Sequence, residues 1–336
     1  MKNTISAVLI AKDEEAVIGR CLESLKDLDE IVVLDTGSSD RTMEIAASLG
    51  AKVWQTAPTD PFHFAEARNA ALDRATSQWA LSIDADEVLS PDSSGLLRKA
   101  VAFTAHSSFR ITFRFPGGRE IQKRRLFRTS LYRWRWRIHE ELVAVRKTGA
   151  VGDALEAVIE HHPKEGKEGP SERNLKLLHL AVVETPNHVK AWKKLGMEYF
   201  LRKNWEQAVR YLEEYVRKGG DRNPLEKSET LINLGLSYSG MDRIEDAVKF
   251  FEAASREAPD RREPWWHAAQ ELSKKAMPWA AIPFYEACLA IPPSRKPAFW
   301  LNLEPVWGNL PEEALTGARA EVERAKALFE AQKTRS

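Results

Sequence analysis

The sequence contains only two cysteines, no long apolar run and no glycine-rich motif that would hold nucleotide phosphates. Cys21 and Cys288 lie in different halves of the chain on apolar helix-like faces, which predicts buried thiols in a reducing compartment. No apolar segment approaches the roughly 18 residues of a membrane-spanning helix, and the N-terminus lacks the pattern of a signal peptide. These features predict a cytoplasmic protein.

Two classes of nucleotide enzyme are excluded by missing motifs. A dinucleotide-binding dehydrogenase needs Gly-x-Gly-x-x-Gly after its first strand, where this chain has Ala11-Lys12-Asp13-Glu14. A P-loop enzyme needs Gly-Lys followed by Ser or Thr, and that sequence does not occur.

The formal net charge of +1 conceals a strong segregation of charge. Residues 110–147 contain twelve Lys or Arg against three Asp or Glu, a net +9, so the rest of the chain carries −8. This excess predicts an anionic partner such as phosphates, an acidic glycan or anionic lipid. Nucleic acid is disfavoured, because alternation places the aromatic and cationic residues on opposite faces of a strand.

Strand and helix signals alternate over residues 5–90, which predicts an α/β domain with a mostly parallel sheet and helices on both faces. Residues 109–115 and 132–138 alternate apolar and cationic side chains, which is typical of strands with one buried face. We expect these segments to form a small antiparallel extension of the sheet.

The C-terminal half is helical in pattern and repeats itself. Small residues recur in pairs twelve positions apart, namely Gly196 and Ala208, Gly235 and Ala247, and Ala269 and Ala281. The second and third pairs start 34 residues apart, and small residues let paired helices approach closely. The pattern resembles the tetratricopeptide repeat and predicts an all-α solenoid, with residues 311–332 as a final capping helix.

Changes of composition divide the chain. Residues 1–162 form the predicted α/β domain, 163–172 a polar linker rich in Gly and Pro, and 173–336 the helical repeat domain.

The most informative short motif is Asp84-Ala85-Asp86, which follows the buried run that begins at Trp79. Carboxylates at the end of a strand suit Mg²⁺ or Mn²⁺, and these ions suit a diphosphate. An acidic turn before a helix is the alternative, because Ser90-Pro91 has the pattern of a helix start.

Asp84-Ala85-Asp86 is one of four polar motifs. Three of them follow strands, at the carboxyl ends where open α/β sheets bind ligands, and the fourth, Arg68-Asn69, lies in the predicted helix before the fourth strand. In chain order, the four motifs are Ala11 to Glu15, Asp35-Thr36-Gly37-Ser38-Ser39-Asp40, Arg68-Asn69, and Asp84-Ala85-Asp86. Together they resemble glycosyltransferase family 2, whose GT-A fold binds a nucleotide sugar, over roughly residues 4–162.

The resemblance implies roles for individual residues. The donor, most simply a UDP-sugar, would be bound by Ala11, Asp35, Arg68, Asp84 and Arg124, with Arg125 as a rival to Arg124. Mn²⁺ or Mg²⁺ would be held by Asp84, Asp86 and His161, with His162 and His139 as rivals to His161. For Asp35, a turn-shaping hydrogen bond is an alternative that is compatible with donor binding.

The resemblance also implies a carboxylate base on the acceptor side of an inverting enzyme. Glu140 is the first candidate and Glu141 the second. Such a base removes the proton of the acceptor hydroxyl as its oxygen attacks the anomeric carbon. The alternative for Glu140 is an ion pair with a neighbouring arginine.

The sequence thus predicts a metal-dependent glycosyltransferase that moves a sugar from a nucleotide diphosphate sugar to a glycan or protein. The repeats would bind a protein partner or a second copy, and peripheral attachment to the inner face of a membrane is compatible with the basic segment. A catalytically retired domain that serves as a repeat-based scaffold is the alternative. The donor sugar, nucleobase, acceptor and oligomeric state are not determined by the sequence.

Overall fold

The computed structural model describes residues 3–57, 59–163, 171–297 and 303–333. The chain divides into two compact units, Met1–Ala181 and Val182–Ser336. Most of the predicted linker, residues 164–170, lies outside the described residues.

The first unit alternates strands and helices as the sequence predicts. Its strands are β1 Ile5–Ala11, β2 Glu30–Asp35, β3 Lys52–Gln55, β4 Trp79–Ser82, β5 Glu87–Leu89, β6 Ser108–Arg114, β7 Glu120–Arg128, β8 Tyr132–Arg135, β9 Glu141–Ala144 and β10 Val151–His161. Its helices are α1 Ile18–Ser24, α2 Thr42–Ser48, α3 Phe64–Leu72 and α4 Ser93–Ala102, and α5 Glu172–Glu184 contains the division between the units.

Eight of these strands form one mixed sheet in the order β3-β2-β1-β4-β7-β6-β10-β5. The pairs β1–β2, β2–β3, β1–β4 and β6–β10 are parallel, whereas β4–β7, β6–β7 and β5–β10 are antiparallel. The predicted antiparallel extension is only partly right. Residues 109–115 contribute β6, which does pair antiparallel in the large sheet, but its partner is β7. Residues 132–138 contribute β8, which pairs with β9 in a separate two-stranded sheet because its register is set by the hairpin rather than by the large sheet.

Both faces of the large sheet are covered. Buried side chains of α1, α2 and α4 pack on one face, and those of α3 pack on the other together with β8 and β9. Since β1 and β2 are buried on both faces, their near-continuous apolar sequences are explained. The predicted α/β class is confirmed.

The second unit consists of helices. They are α6 Val189–Leu201, α7 Trp205–Arg217, α8 Pro224–Gly240, α9 Ile244–Glu257, α10 Glu263–Lys274, α11 Pro278–Ala290 and α12 Leu310–Lys333. The helices pair as α6 with α7, α8 with α9 and α10 with α11, and each pair contains one of the predicted small-residue pairs. The predicted repeat architecture is confirmed, and the predicted capping helix corresponds to α12.

Each repeat glycine lies against one large residue of the next helix. A Cβ added to Gly196 would be 2.7 Å from Leu212, and one added to Gly235 would be 2.5 Å from Phe251. Both distances are shorter than van der Waals contact, so these positions require glycine because of close packing rather than backbone conformation.

Replacing Gly235 by alanine is expected to destabilise the repeat unit by roughly 1–3 kcal/mol, because the new methyl group overpacks the contact with Phe251. Chemical denaturation followed by circular dichroism measures this change. Gly317→Ala in α12 is the matched control, since nothing lies within 4 Å of its added Cβ and the substitution should stabilise by about 0.5–1 kcal/mol. Equal effects of the two substitutions would contradict the packing explanation.

Within the described residues, every helix is too short or too polar to cross a bilayer. Both cysteines are buried and unpaired. The predicted cytoplasmic location remains a prediction.

Candidate active site

Arg68 on α3 joins two carboxylates from distant parts of the chain. Its Nε donates to Glu140 Oε1 at 2.5 Å, and its Nη2 donates to Asp84 Oδ1 at 2.7 Å. The guanidinium lies over the ring of Trp134, with Cζ 5.2 Å from the ring centroid. Burial lowers the pKa of Arg68, but the two carboxylates outweigh burial and hold it above its usual value. Arg68 therefore stays charged and fixes Glu140 relative to Asp84.

Asp84 is held by two guanidinium groups. Its Oδ2 accepts a hydrogen bond from Arg125 Nη2 at 3.3 Å, in addition to the bond from Arg68. Burial raises the pKa of this carboxyl, whereas Arg68 and Arg125 lower it further, so the net pKa lies well below its usual range. Asp84 is therefore ionised at neutral pH, and each of its two oxygens accepts one hydrogen bond from an arginine. Its predicted role as a metal ligand remains a prediction.

Arg125 owes its position to a β-bulge. Phe109 pairs with Leu126 and Arg110 pairs with Arg124, so Arg125 is the extra residue on β7. A bulge redirects the side chain of the extra residue, and Arg125 reaches Glu87 Oε1 at 2.8 Å as well as Asp84. Burial raises the pKa of Glu87 to about 7, with the Asp84 charge contributing in the same direction and Arg125 opposing it.

Arg124, the predicted donor-binding arginine, lies apart from this cluster. Its guanidinium is over the ring of Tyr132, 5.5 Å from the centroid. Its Nε is buried and has no hydrogen-bond partner among the described residues. The structure thus places Arg125, and not Arg124, next to Asp84. The β-bulge that causes this has no signal in the sequence pattern.

Asp86 and His161 form a pair at the open side of the cluster. The distance from Asp86 Oδ2 to His161 Nε2 is 3.4 Å, and both side chains are about a quarter to a third exposed. The pairing of β10 with β5 brings them together, and His162 N donates to the Asp86 carbonyl at 2.8 Å. The imidazole of His162 instead lies 3.5 Å from Glu160, and His139 is exposed in a turn with φ of 52°.

The Asp86–His161 pair fits a divalent cation. Two ligand atoms at about 2.1 Å from one ion, at right angles, lie about 3 Å apart, close to the separation seen here. No cluster of three or more potential ligands from His, Cys, Asp and Glu occurs in the described part of the chain. Two protein ligands with the remainder from phosphates and water is the arrangement that suits Mg²⁺ at a diphosphate site.

Ala11 and Asp35 lie side by side at the carboxyl ends of β1 and β2. Asp35 Oδ1 accepts bonds from the backbone N–H of Gly37 and Ser38, both at 2.9 Å, and the Ala11 carbonyl accepts from Thr36. The turn-shaping alternative for Asp35 is therefore present. Its role in donor binding remains a prediction.

The hairpin that carries Glu140 is attached to α3 by Asn69. The Asn69 amide donates to the Trp134 carbonyl and accepts from the Trp134 N–H, each at 2.9 Å. On the other side of the hairpin, Arg137 donates to the carbonyls of Pro61 and Phe62. In the sequence, Asn69 is marked only by its place in the Arg68-Asn69 motif, and Trp134 carries no functional signal.

Asn69→Ala is expected to lower turnover at least tenfold while leaving donor affinity within about twofold, because it loosens the position of Glu140 without touching Asp84 or Asp86. Loss of two hydrogen bonds should also lower the free energy of unfolding by about 1–3 kcal/mol. Steady-state kinetics and calorimetric donor titration separate the two effects. Glu66→Ala, on the exposed side of α3, is the control. Unchanged turnover in Asn69→Ala would refute the positioning role.

Many cationic side chains of residues 110–147 contact other residues of the first unit. Five arginines donate to protein acceptors, namely Arg114, Arg125, Arg128, Arg133 and Arg137. Others lie over aromatic rings, namely Arg119, Lys123 and Arg124. These contacts fix the side chains, but carbonyls and rings are neutral, so they leave most of the positive charge of the segment in place.

Comparison with known proteins identifies the families that the two units resemble. The family model described as glycosyl transferase family 2 matches residues 6–155, and a tetratricopeptide repeat model matches residues 228–261. A TPR repeat-containing protein of Synechococcus elongatus is 30% identical over 275 residues, which cover 76% of this chain and 67% of that protein.

Two further relatives are named as glycosyltransferases. The SPbeta prophage-derived glycosyltransferase SunS of Bacillus subtilis is 26% identical over 230 residues, covering 63% of this chain and 53% of the relative. The lipopolysaccharide core biosynthesis glycosyltransferase LpsC of Rhizobium meliloti is 35% identical over 103 residues, covering 30% of this chain and 38% of the relative. The matched segments thus span about half or less of these two relatives.

Proposed function

Because this chain belongs to glycosyl transferase family 2 and carries tetratricopeptide repeats, we propose that it transfers a sugar from a nucleotide diphosphate sugar to an acceptor nucleophile with inversion at the anomeric carbon. The observation that carries the proposal is the pair of hydrogen bonds that Arg68 donates, one to Asp84 and one to Glu140. Through Arg68, a carboxylate on the donor side and the candidate base are held next to each other.

The donor would lie along the carboxyl ends of β1, β2 and β4, where Ala11, Asp35 and Asp84 converge. Asp84 is kept ionised, so it can accept a hydrogen bond from a ribose hydroxyl. The fixed loop after β2 would border the nucleobase. UDP is the first nucleotide to test, as the family resemblance suggests.

Asp86 and His161 would hold a divalent cation. A metal ion at a diphosphate offsets the charge that develops on the leaving nucleoside diphosphate. Neutral imidazole is a better ligand for Mn²⁺ than for Mg²⁺, so we expect Mn²⁺ to support the higher activity.

Glu140 would act as the base. Its Oε1 is anchored by Arg68, while Oε2 has no hydrogen-bond partner among the described residues. In the proposed step, Oε2 takes the proton of the acceptor and the acceptor atom bonds to the anomeric carbon. The bond from that carbon to the diphosphate oxygen breaks, and its electron pair leaves with the nucleoside diphosphate.

The acceptor would be a glycan or a protein. The name of LpsC associates that relative with a lipopolysaccharide core, which supports a glycan. The repeats favour a protein partner, either as acceptor or as a second subunit, because stacked helical repeats present an extended binding surface.

The proposal is tested with a panel of nucleotide sugars in the presence of Mn²⁺, by thermal shift and by release of nucleoside diphosphate. At least one donor should raise the melting temperature and be consumed. If no donor binds or turns over with either Mn²⁺ or Mg²⁺, the enzyme proposal fails. The alternative, a scaffold that acts through its repeats, would then be favoured.

A further inference from the structure

Lys123 on β7 is a cation that the transferase mechanism above does not use. Its Nζ lies 3.5 Å from the ring centroid of Phe113 and 5.4 Å from that of Phe115. Among the described residues, this ammonium makes neither a hydrogen bond nor an ion pair. It differs in this respect from Arg125, its neighbour on the same strand, which binds two carboxylates.

The surroundings of Lys123 make an unpaired ammonium unfavourable. Burial lowers the pKa of Lys123, and the charge of Arg125 lowers it further, against the opposing effect of Glu87 and Asp84. Those two carboxylates are already bound by Arg125. An anionic ligand would therefore supply the hydrogen-bond acceptor that this ammonium lacks.

Two aromatic rings connect Lys123 to the proposed metal pair. The His161 ring centroid lies 5.7 Å from that of Phe113 and 5.9 Å from that of Phe115. Phe113 is therefore in contact with both the ammonium of Lys123 and the imidazole that faces Asp86. Phe113 therefore links Lys123 to the Asp86–His161 pair through two successive ring contacts.

We propose that Lys123 is a phosphate-binding residue of this site, held in place by the rings of Phe113 and Phe115. The assignment of this phosphate to the sugar-transfer site rests on the proposed function. The ability of Lys123 to bind a phosphate does not. The phosphate belongs either to the diphosphate of the donor or to a phosphorylated acceptor. An ammonium on a flexible stem binds a phosphate oxygen as a point charge and needs no fixed orientation.

The test uses the whole chain with Lys123→Met, which keeps the apolar stem, and Lys123→Arg, which keeps the charge. Isothermal titration with UMP, UDP and inorganic pyrophosphate, each with Mn²⁺, measures donor-like phosphates. A titration of inorganic phosphate into UDP-saturated protein measures a second phosphate. Arg110→Gln is the control, since Arg110 is an exposed cation on the adjacent strand that pairs with Arg124 rather than facing Phe113. Near-ultraviolet circular dichroism confirms that each variant is folded.

Lys123→Met is expected to weaken binding of one phosphate probe roughly tenfold to a hundredfold, as for loss of a charge-assisted hydrogen bond. If Lys123→Met loses affinity for UDP and pyrophosphate but not for UMP, Lys123 binds the diphosphate of the donor. If it loses affinity only for inorganic phosphate in the UDP-saturated protein, Lys123 binds a phosphate of the acceptor. Lys123→Arg should restore most of the affinity, and Arg110→Gln should change nothing.

Equal affinities of the wild type and Lys123→Met for every probe would overturn the inference while leaving the sugar-transfer proposal intact. The reverse case is also distinguishable. If the wild type binds pyrophosphate through Lys123 but binds no nucleoside diphosphate, the phosphate site stands and the proposed function fails.

Discussion

Asp86→Ala is expected to abolish the Mn²⁺-dependent binding of a nucleoside diphosphate and to lower kcat/KM about a thousandfold or more. A metal ion that neutralises the leaving diphosphate contributes several kcal/mol to the transition state, and Asp86 is the carboxylate whose oxygen faces His161 at 3.4 Å. The side chain is partly exposed and forms no bond to the arginine cluster, so the fold should survive its loss. Calorimetric titration of UDP with and without Mn²⁺ measures the effect directly.

Two comparisons sharpen this experiment. His161→Ala should reproduce most of the loss, because it removes the other ligand of the same pair. Asp153→Ala, an exposed carboxylate on the strand that carries His161, should behave as the wild type. If donor binding and turnover survive in Asp86→Ala, the proposed metal site is wrong.

Glu140→Gln should lower kcat by about a hundredfold to ten-thousandfold, which is the usual contribution of a general base. The amide is nearly isosteric and its oxygen can still accept the bond from Arg68 Nε, so the cluster around Asp84 should be preserved. Donor affinity is therefore expected to remain within about twofold of the wild type. Initial rates at saturating donor, together with a donor titration, separate chemistry from binding.

Glu141→Gln is the matched control for this prediction. Glu141 begins β9 and pairs with Arg135 in the register of the hairpin, whereas Glu140 precedes the strand and reaches Arg68. A normal rate in Glu140→Gln with a large loss in Glu141→Gln would transfer the role of base to Glu141. Normal rates in both would remove the carboxylate base from the mechanism.

The sequence by itself was sufficient for the fold class of both units, but not for the antiparallel part of the first unit, where β8 lies in a separate sheet. Alternating strand and helix signals are local, and the order of β1 to β4 follows from them because parallel strands joined by helices have few possible arrangements. The 34-residue spacing of Gly235 and Ala269 likewise predicted helix pairs, since each small residue marks a close approach between neighbouring helices. Such periodic features repeat along the chain and are visible without any tertiary contact.

The sequence also placed Asp35 and Asp84 at one edge, because both follow strands of a parallel sheet. It left open whether Arg124 or Arg125 belongs to the site. A strict alternation of faces cannot show the bulge at Arg125, which depends on how β7 pairs with β6. The exact partner of an arginine is thus decided by strand register.

What only the tertiary structure decided is which charges meet. Asp84 lies 16 positions after Arg68 in the sequence and Glu140 lies 72 positions after it, and no local pattern joins them. The same holds for Asn69 and Trp134, and for Lys123, whose lack of a carboxylate partner appears only when its surroundings are known. Backbone propensity and hydrophobic period act over a few residues, so they determine the elements. Ion pairs and cation–π contacts depend on side chains brought together from distant segments, so they follow from the packed fold alone.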